Sequence, residues 1–382
     1  MKKIFTSTIA LLSIGFGVLA ADFPVPEPRI PPGYQPIDAE TELGLWMELD
    51  EYELAIRRSA LLVVDAPIND YVNRVACRVT GEYCADLRIY IIRNPGFNAS
   101  MTANGVMQVW TGLLVRVSSE DELAAVLGHE LAHYTQLHTV DRFRRIKSSM
   151  ASSSVIDLLI GMPVATMAAV GNIMSFSRDQ ETEADLLGVK FMADSGYDPR
   201  AASRVWQMVV AEEQHAFAKR KQAGLFSRTH PTSENRIDTL DRFVEVNYPE
   251  ETNPVENQAT HVEMLNRYYT LLMEDQIDTN RYGRTEHMLR RHQEIGVEPG
   301  LVDFFRGEMH RQRSSAGDLE MAQQSYERAI AAREPITEAF RNLGYVYLKQ
   351  GKPEQARAQF RQYLERKPDA DDRAMIEFYL ED

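Results

Sequence analysis

A short motif in this chain combines two histidines with a glutamate, in the order His129-Glu130-Leu131-Ala132-His133. On a helix, residues four apart lie on one face, so His129 and His133 can bind the same metal ion. Glu130 is rotated by about 100° from His129, where its carboxylate can accept a proton from water that the metal activates. The motif therefore predicts a hydrolytic site with one Zn²⁺ per chain. A purely structural histidine pair is the alternative.

A hydrolytic zinc site needs a third protein ligand and leaves the fourth position to water. Arg178 begins a second predicted helix that is rich in acidic residues. Glu181 and Asp185 are four apart on it, so Glu181 can bind the metal while Asp185 accepts the N–H of a ligating histidine. A solvated acidic start of a helix is the alternative.

Local patterns predict the elements that would position these residues. Ser119, followed by acidic residues from Glu120, is typical of an N-cap and predicts a helix that continues beyond His138. Further elements are predicted from periodicity, namely a helix within 39–62 and strands at Leu87 to Ile92 and Val106 to Trp110.

The two motifs together resemble the metallopeptidase family that includes HtpX and the CAAX prenyl endopeptidases. The matching residues lie between about Glu42 and Arg236 and are His129-Glu-x-x-His133, Ser177-Arg178-x-x-Glu181-x-Glu183-Ala184-Asp185-x-x-Gly188, Phe97-Asn98-Ala99, Asn104-Gly105 and Thr111-Gly112-Leu113-Leu114. The resemblance implies that His129, His133 and Glu181 bind the zinc. It also implies that Glu130 activates the water and that Asp185 supports His129.

The resemblance extends to residues whose roles are less evident from spacing. In this family a His-Pro loop is thought to bring a histidine onto the zinc in a latent state, and His230 matches that position. From the residues alone, His230 is equally a loop or capping histidine. Arg236 matches a family arginine that could stabilise the tetrahedral intermediate.

The strand Val106 to Trp110 is expected at the rim of the cleft, where it could pair with substrate, or inside a small sheet. His138 follows His133 by five residues, so we expect it off the ligand face, as a packing or outer residue.

The C-terminal part of the chain shows a repeat. The tetratricopeptide pattern is matched by Phe340, Leu343, Gly344, Tyr347, Ala356, Phe360 and Pro368. An earlier second helix is matched by Ala322, Tyr326 and Ala329, a degenerate helix pair lies near His261 to Glu294, and a capping helix is expected at Asp371 to Leu380. Such repeats usually bind another protein in a concave groove, with a purely packing domain as the alternative.

The N-terminus reads as an export signal. Lys2 and Lys3 precede an uncharged apolar run, and Ala20 ends it at a plausible cleavage site, so we expect export to the periplasm; an uncleaved membrane anchor is the alternative. Prolines between 23 and 36 predict a linker or a wrapping strand. The expected division is a signal peptide at 1–20, a proline-rich linker at 21–38, a zinc metallopeptidase domain at 39–250 and a tetratricopeptide-like domain at 258–382.

Composition narrows the classes of partner. The 382 residues carry 56 acidic against 42 basic side chains, a formal charge of −14, which argues against nucleic acid as the main partner. The two cysteines, Cys77 and Cys84, rule out a disulfide scaffold. In an oxidising compartment they can pair, with two free thiols as the alternative. The apolar stretch 155–176 is interrupted by polar residues, so it predicts core helices or peripheral membrane contact.

We therefore expect a mainly α protein with an α+β catalytic domain, namely an HExxH zincin core with a small β-sheet, followed by helical repeats. The resemblance implies a zinc endopeptidase acting in quality control and assembly of outer-membrane proteins. Its implied partners are misfolded or stalled outer-membrane and periplasmic proteins and the β-barrel assembly machinery. The alternative is a chaperone or assembly factor that binds clients through its repeats while the protease site stays mostly latent.

Overall fold

The computed structural model describes residues 24–36, 42–149, 176–215, 230, 234–249 and 255–381. It confirms a mainly helical protein with one small sheet. The helices are α1 (Glu42–Arg57), α2 (Ala66–Thr80), α3 (Thr111–Leu114), α4 (Glu120–Thr135), α5 (His138–Ser149), α6 (Arg178–Asp194), α7 (Ala201–Gln214), α8 (Glu234–Asn247), α9 (Val255–Asp278), α10 (Tyr282–Glu294), α11 (Pro299–Arg313), α12 (Asp318–Ala331), α13 (Thr337–Lys349), α14 (Pro353–Arg366) and α15 (Arg373–Glu381). The strands are β1 (Arg88–Ile92), β2 (Ala99–Met101) and β3 (Val106–Trp110).

Two expectations fall on other parts of the chain. The signal peptide at 1–20 lies outside the described residues, and so does the apolar stretch 155–176 except for Phe176. Among the residues that are described, no helix is both long enough and apolar enough to cross a membrane.

The sheet has the strand order β1-β3-β2. β3 pairs in parallel with β1 and antiparallel with β2, and all five of its residues are buried. Because its backbone groups are used on both sides, β3 cannot pair with a substrate, and the alternative of an internal strand is the correct one. β2 is one of the two edge strands of the described sheet, and it packs against α4.

Helix α4 carries the motif through the centre of the molecule. Its N-cap residue Ser119 accepts a hydrogen bond from the Glu122 backbone, and every one of its 16 residues is buried. The predicted continuous helix is wrong at its C-terminal end. α4 ends at Thr135, Leu137 adopts a φ of 54°, and α5 begins at His138.

The proline-rich N-terminal segment wraps around the end of α4. The backbone N–H groups of Arg29 and Ile30 donate to the Thr135 carbonyl at 3.1 and 3.3 Å. The Gln136 side chain donates to the Glu27 carbonyl at 2.8 Å. Since the last carbonyls of a helix lack partners within the helix, this segment supplies them and anchors the break after α4.

The hydrophobic interior is divided into a larger core that extends from Ile30 to Met309 and a smaller one that extends from Ala322 to Ile376. Helices α9 to α11 therefore pack with the part of the chain before residue 250, although they lie beyond the expected end of the peptidase domain at that residue. In the repeats, a Cβ on Gly307 would overlap the Tyr326 ring, and one on Gly344 would overlap Phe360. Each glycine admits an aromatic ring from the following helix, which explains the spacing of the repeat pattern.

Candidate metal centre

Four side chains from three separate segments converge in the buried centre of the peptidase region. His129 and His133 project from α4, Glu181 from the first turn of α6, and His230 from a segment between α7 and α8. One potential ligand atom from each lies within 4.8 Å of the others, and all four residues are at most 5% exposed. Within the described part of the chain this is the single group of its kind.

The spacing of these atoms fits a tetrahedral metal ion. His129 Nε2 and His133 Nε2 are 3.1 Å apart, and His230 Nδ1 lies 3.2 Å from His129 Nε2 and 3.0 Å from Glu181 Oε1. Glu181 Oε1 is 3.5 Å from His133 Nε2. Zinc bonds of about 2.0–2.1 Å separate tetrahedral neighbours by about 3.4 Å, so the cluster has the size and the N/O donors that zinc requires.

Asp185 and Arg236 lie behind these groups. Asp185 Oδ1 is 3.0 Å from His129 Nδ1, as expected for the outer partner of a ligating histidine. Arg236 donates to both oxygens of Asp185 at 2.7 and 2.6 Å, and its Nη1 is 2.8 Å from Glu181 Oε2. Its guanidinium also lies 3.8 Å from the centre of the Trp206 ring. Three of the Arg236 donors therefore face carboxylates, and its expected role toward the tetrahedral intermediate stays a prediction.

Charge and burial shift the pKa values of the two acidic groups that face the cluster in opposite directions. Burial raises the pKa of Glu130 above its ordinary value, so this carboxylate accepts a proton more readily. Burial works the same way on Glu181, but His230, His133 and His129 outweigh it and hold the pKa of Glu181 below its ordinary value. Glu181 is therefore anionic, as a metal ligand must be, while Glu130 suits a general base.

Burial and nearby charges also determine the pKa values of Asp185 and His133. Burial works to raise the pKa of Asp185, and Arg236 with His129 outweighs it, so the pKa of Asp185 is lowered. Burial lowers the pKa of His133 well below its ordinary value, which favours the neutral imidazole that binds metals. Glu130 lies beside the cluster, 3.5 Å from His230 Nε2, and the backbone of Met101 in β2 hydrogen-bonds its carboxylate.

Two residues at the centre make contacts whose geometry the sequence did not predict. His138 was expected off the ligand face, as a packing or outer residue, and the break after α4 places its Nδ1 2.9 Å from His133 Nδ1, outside the cluster. Phe176 stacks on the His133 ring with a centroid distance of 3.8 Å, and the Arg142 guanidinium lies 4.3 Å from the centre of the Phe176 ring. A helical period cannot reveal either contact, because both depend on a break or on a loop.

The cysteines lie apart from this centre. A disulfide joins Cys77, near the end of α2, to Cys84 in the short 3-10 turn that follows. It closes the turn that leads into β1.

Comparison with known proteins agrees with the geometry. Residues 64–244 match peptidase family M48, and residues 337–370, which span α13 and α14, match the tetratricopeptide repeat. The chain is 33% identical over 184 residues to the mitochondrial metalloendopeptidase OMA1 of Schizosaccharomyces pombe, which covers 47% of this chain and 53% of that protein.

Two bacterial relatives are also similar. A putative beta-barrel assembly-enhancing protease of Vibrio cholerae is 28% identical over 204 residues, or 49% of this chain and 41% of the relative. The beta-barrel assembly-enhancing protease of Escherichia coli is 25% identical over 253 residues, or 62% of this chain and 51% of the relative. The chain thus spans about half, or less, of the length of these curated relatives. Because the family match covers every residue of the converging cluster, the expected resemblance is confirmed: residues 64–244 of this chain match peptidase family M48.

Proposed function

We propose that this chain is a zinc-dependent endopeptidase. The observation that carries the proposal is the buried cluster of His129, His133, Glu181 and His230, whose donor atoms have the separations of a tetrahedral zinc site. The match of residues 64–244 to peptidase family M48 supports the same reaction. Zinc, when bound, would supply the Lewis acid that activates water and polarises the peptide carbonyl.

The side chains around the cluster have separate roles in the proposed reaction. Glu130 takes the proton of the attacking water and passes it to the leaving amine, for which its raised pKa is suited. Glu181 and the two motif histidines hold the metal, and Asp185 holds His129 in its ligating orientation. Arg236 keeps Asp185 and Glu181 in place. In place of β3, we assign substrate pairing to the edge strand β2, which adjoins Glu130.

The arrangement with four protein donors corresponds to a latent state of this enzyme. A catalytic zinc site keeps one position for water, whereas His230 lies where that position would be. Hydrolysis would then require His230 to move away.

Zinc analysis combined with casein digestion tests the proposed reaction. The wild-type protein should contain one zinc per chain, and Glu130→Gln should keep the zinc but lose about 10²–10⁴-fold of the activity. Asp179→Ala, at an exposed acid of the same region, is the matched control and should behave as wild type. Wild-type protein that binds no zinc would overturn the proposal.

Client binding is assigned to a cavity of about 750 Å³ whose wall includes residues of α9, α11, α13 and α15. Apolar groups in its wall include Phe304, Ile336, Tyr345 and Met375, and five carboxylates outnumber three guanidinium groups there. We therefore assign it to extended segments of unfolded polypeptides with apolar and basic side chains. The relatives named for β-barrel assembly support outer-membrane proteins as the source of such segments and the assembly machinery as a partner.

A charge placed in this cavity tests client binding. Met375 is 50% exposed, so Met375→Lys should fold and weaken binding of a labelled apolar, lysine-containing peptide by roughly tenfold, or about 1.4 kcal/mol, because the added cation repels the lysine and replaces an apolar contact. Met321→Lys is the matched control, since Met321 is 47% exposed and lies outside the cavity. Fluorescence anisotropy measures both, and equal affinities would remove the cavity from the proposal.

The cellular setting completes the proposal. The leader-like residues 1–20 and the bacterial relatives support a periplasmic location, with the peptidase domain at 39–250 and the repeats at 258–382. The alternative function, a chaperone or assembly factor, is favoured by the His230 contact that closes the site. Glu130→Gln separates the two functions: full support of envelope integrity by this variant would mean that binding, not hydrolysis, is the main role.

A further inference from the structure

A strained backbone residue two positions after the end of α4 turns a fourth histidine toward the metal centre. Leu137 has a φ of 54°, in the left-handed region that a residue with a bulky side chain rarely adopts. In a continuous helix, the residue five positions after His133 would be rotated by about 140° from it. The break instead brings His138 Nδ1 to 2.9 Å from His133 Nδ1. Strain of this kind persists where the surroundings enforce it, often at functional sites.

The contact continues from His138 to a carboxylate. His138 Nε2 lies 3.1 Å from Glu183 Oε2, on the same helix as Glu181 and two residues after it. His138 is 2% exposed, whereas the Glu183 side chain is 42% exposed. A connected path of hydrogen bonds therefore leads from a buried histidine of the cluster to a partly exposed acid.

Zinc binding by His133 would determine which ring nitrogens of His133 and His138 carry a proton. His133 Nε2 faces the cluster, 3.1 Å from His129 Nε2, so Nε2 must hold a lone pair if it binds zinc. The Nδ1–H of His133 then donates to His138 Nδ1, and the Nε2–H of His138 donates to Glu183. Each ring nitrogen has one role in this arrangement, and both tautomers are fixed.

We propose that His138 and Glu183 are positioning residues that hold His133 in the tautomer and orientation in which Nε2 binds zinc. The inference rests on the proposed zinc site. The two motif histidines then have different supports: His129 is held by a buried aspartate that Arg236 neutralises, and His133 by a histidine that a partly exposed glutamate holds.

Zinc affinity of purified protein, measured by competition with a chelating dye, is the test. Outer partners of ligating histidines typically contribute 10–100-fold in metal affinity, so His138→Phe should weaken zinc binding by roughly that factor. His138→Gln, whose amide can accept from His133 and donate to Glu183, should recover most of the loss. Glu183→Ala should weaken binding by roughly tenfold. Asp179→Ala, at the exposed acid two residues before Glu181, should change nothing.

A cobalt spectrum separates positioning from general damage to the fold. In the Co²⁺-loaded protein, His138→Phe should change the visible absorption bands, while His138→Gln should restore the wild-type spectrum. If His138→Phe does not fold, Glu183→Ala still decides, because Glu183 is partly exposed. Wild-type zinc affinity and spectrum in the folded His138→Phe or Glu183→Ala variants would overturn the inference. Failure of the wild-type protein to bind zinc would instead overturn the proposed function.

Discussion

His230 lies at the point where the proposed hydrolysis needs a water molecule. Its Nδ1 is 3.0 Å from Glu181 Oε1 and its Nε2 is 3.5 Å from Glu130 Oε1, so one imidazole faces both the proposed metal ligand and the proposed base. Burial alone would lower the pKa of His230, but Glu181 and Glu130 outweigh burial and raise it. Removing this side chain therefore changes both the metal cluster and the access to Glu130.

We predict that His230→Ala weakens zinc binding and raises casein digestion when zinc is in excess. One of four donors is lost, while the three donors of a catalytic site remain and the fourth position opens. Chelator competition and a fluorescent casein assay measure the two effects. His215→Ala, at an exposed histidine, is the control. The proposed latency fails if neither zinc affinity nor activity changes.

The residues of the centre differ in how far the sequence predicted them. The spacing of His129 and His133 predicted a shared helix face, and the four-residue step from Glu181 to Asp185 predicted the second face. The structure brings these side chains together, because a regular helix fixes directions from numbering alone. His138 could not be predicted, since its direction is set by the break at Leu137, where neither glycine nor proline marks the turn.

Helices α4 and α6 cross with their backbones in contact. A Cβ on Gly188 would lie 3.0 Å from the His129 backbone nitrogen, and one on Gly128 would lie 3.1 Å from the Gly188 carbonyl oxygen. The crossing is therefore at the level of His129. This close approach lets Asp185 and Glu181, one and two turns before Gly188, reach the histidines of the facing helix.

We predict that Gly188→Ala destabilises the protein by about 1–2 kcal/mol and weakens zinc binding. The added methyl meets backbone atoms that cannot rotate away, and overpacking of this kind outweighs the gain of about 1 kcal/mol in helix propensity. Urea denaturation and chelator competition are the measurements.

Gly44→Ala in α1 is the matched control for this crossing. No atom lies within 4 Å of its added Cβ, so helix propensity should stabilise the protein by up to about 1 kcal/mol. Equal effects of the two substitutions would show that the close crossing is not needed.

Element boundaries were predictable where the sequence carries a local signal. Ser119 caps α4, and Ser177 with Gln180 forms a capping box on α6, so both starts agree with their cap residues. The role of the proline-rich segment is different. Composition left a linker and a wrapping strand equally open, and only tertiary contacts such as Arg29 with the Thr135 carbonyl decide between them.

At the scale of the whole molecule, helices α9 and α10 are joined by hydrogen bonds to the loop that leads into α4. His292 Nε2 donates to the Val115 carbonyl at 2.7 Å, and Arg291 donates to the Arg116 carbonyl at 3.0 Å and to Ser118 Oγ at 2.6 Å. His261 Nδ1 lies 2.6 Å from the Tyr71 hydroxyl on α2. The first helices beyond residue 250 therefore share buried polar contacts with the peptidase region. The sequence pattern of the repeats does not predict these contacts.

These two histidines make the stability of the junction depend on pH. Burial lowers the pKa of His261 to about 4 and that of His292 to about 3. The unfolded chain has histidine pKa values of about 6.5, so between these limits it binds more protons than the folded protein. The stabilisation is therefore present above about pH 6.5 and is lost as the pH falls toward 4 and 3. The two groups together should lower the free energy of unfolding by about 4 kcal/mol between pH 7 and pH 5.

Replacing both histidines with glutamine isolates this effect from the titration of other groups. A glutamine in place of His292 would keep a donor for the Val115 carbonyl but bind no proton. The variant with His261→Gln and His292→Gln should therefore lose much less stability than wild type between pH 7 and pH 5. Urea denaturation at each pH gives the difference, and His215→Gln, at an exposed site, should follow wild type. A double variant that loses as much stability as wild type would mean that these imidazoles are protonated in the folded protein.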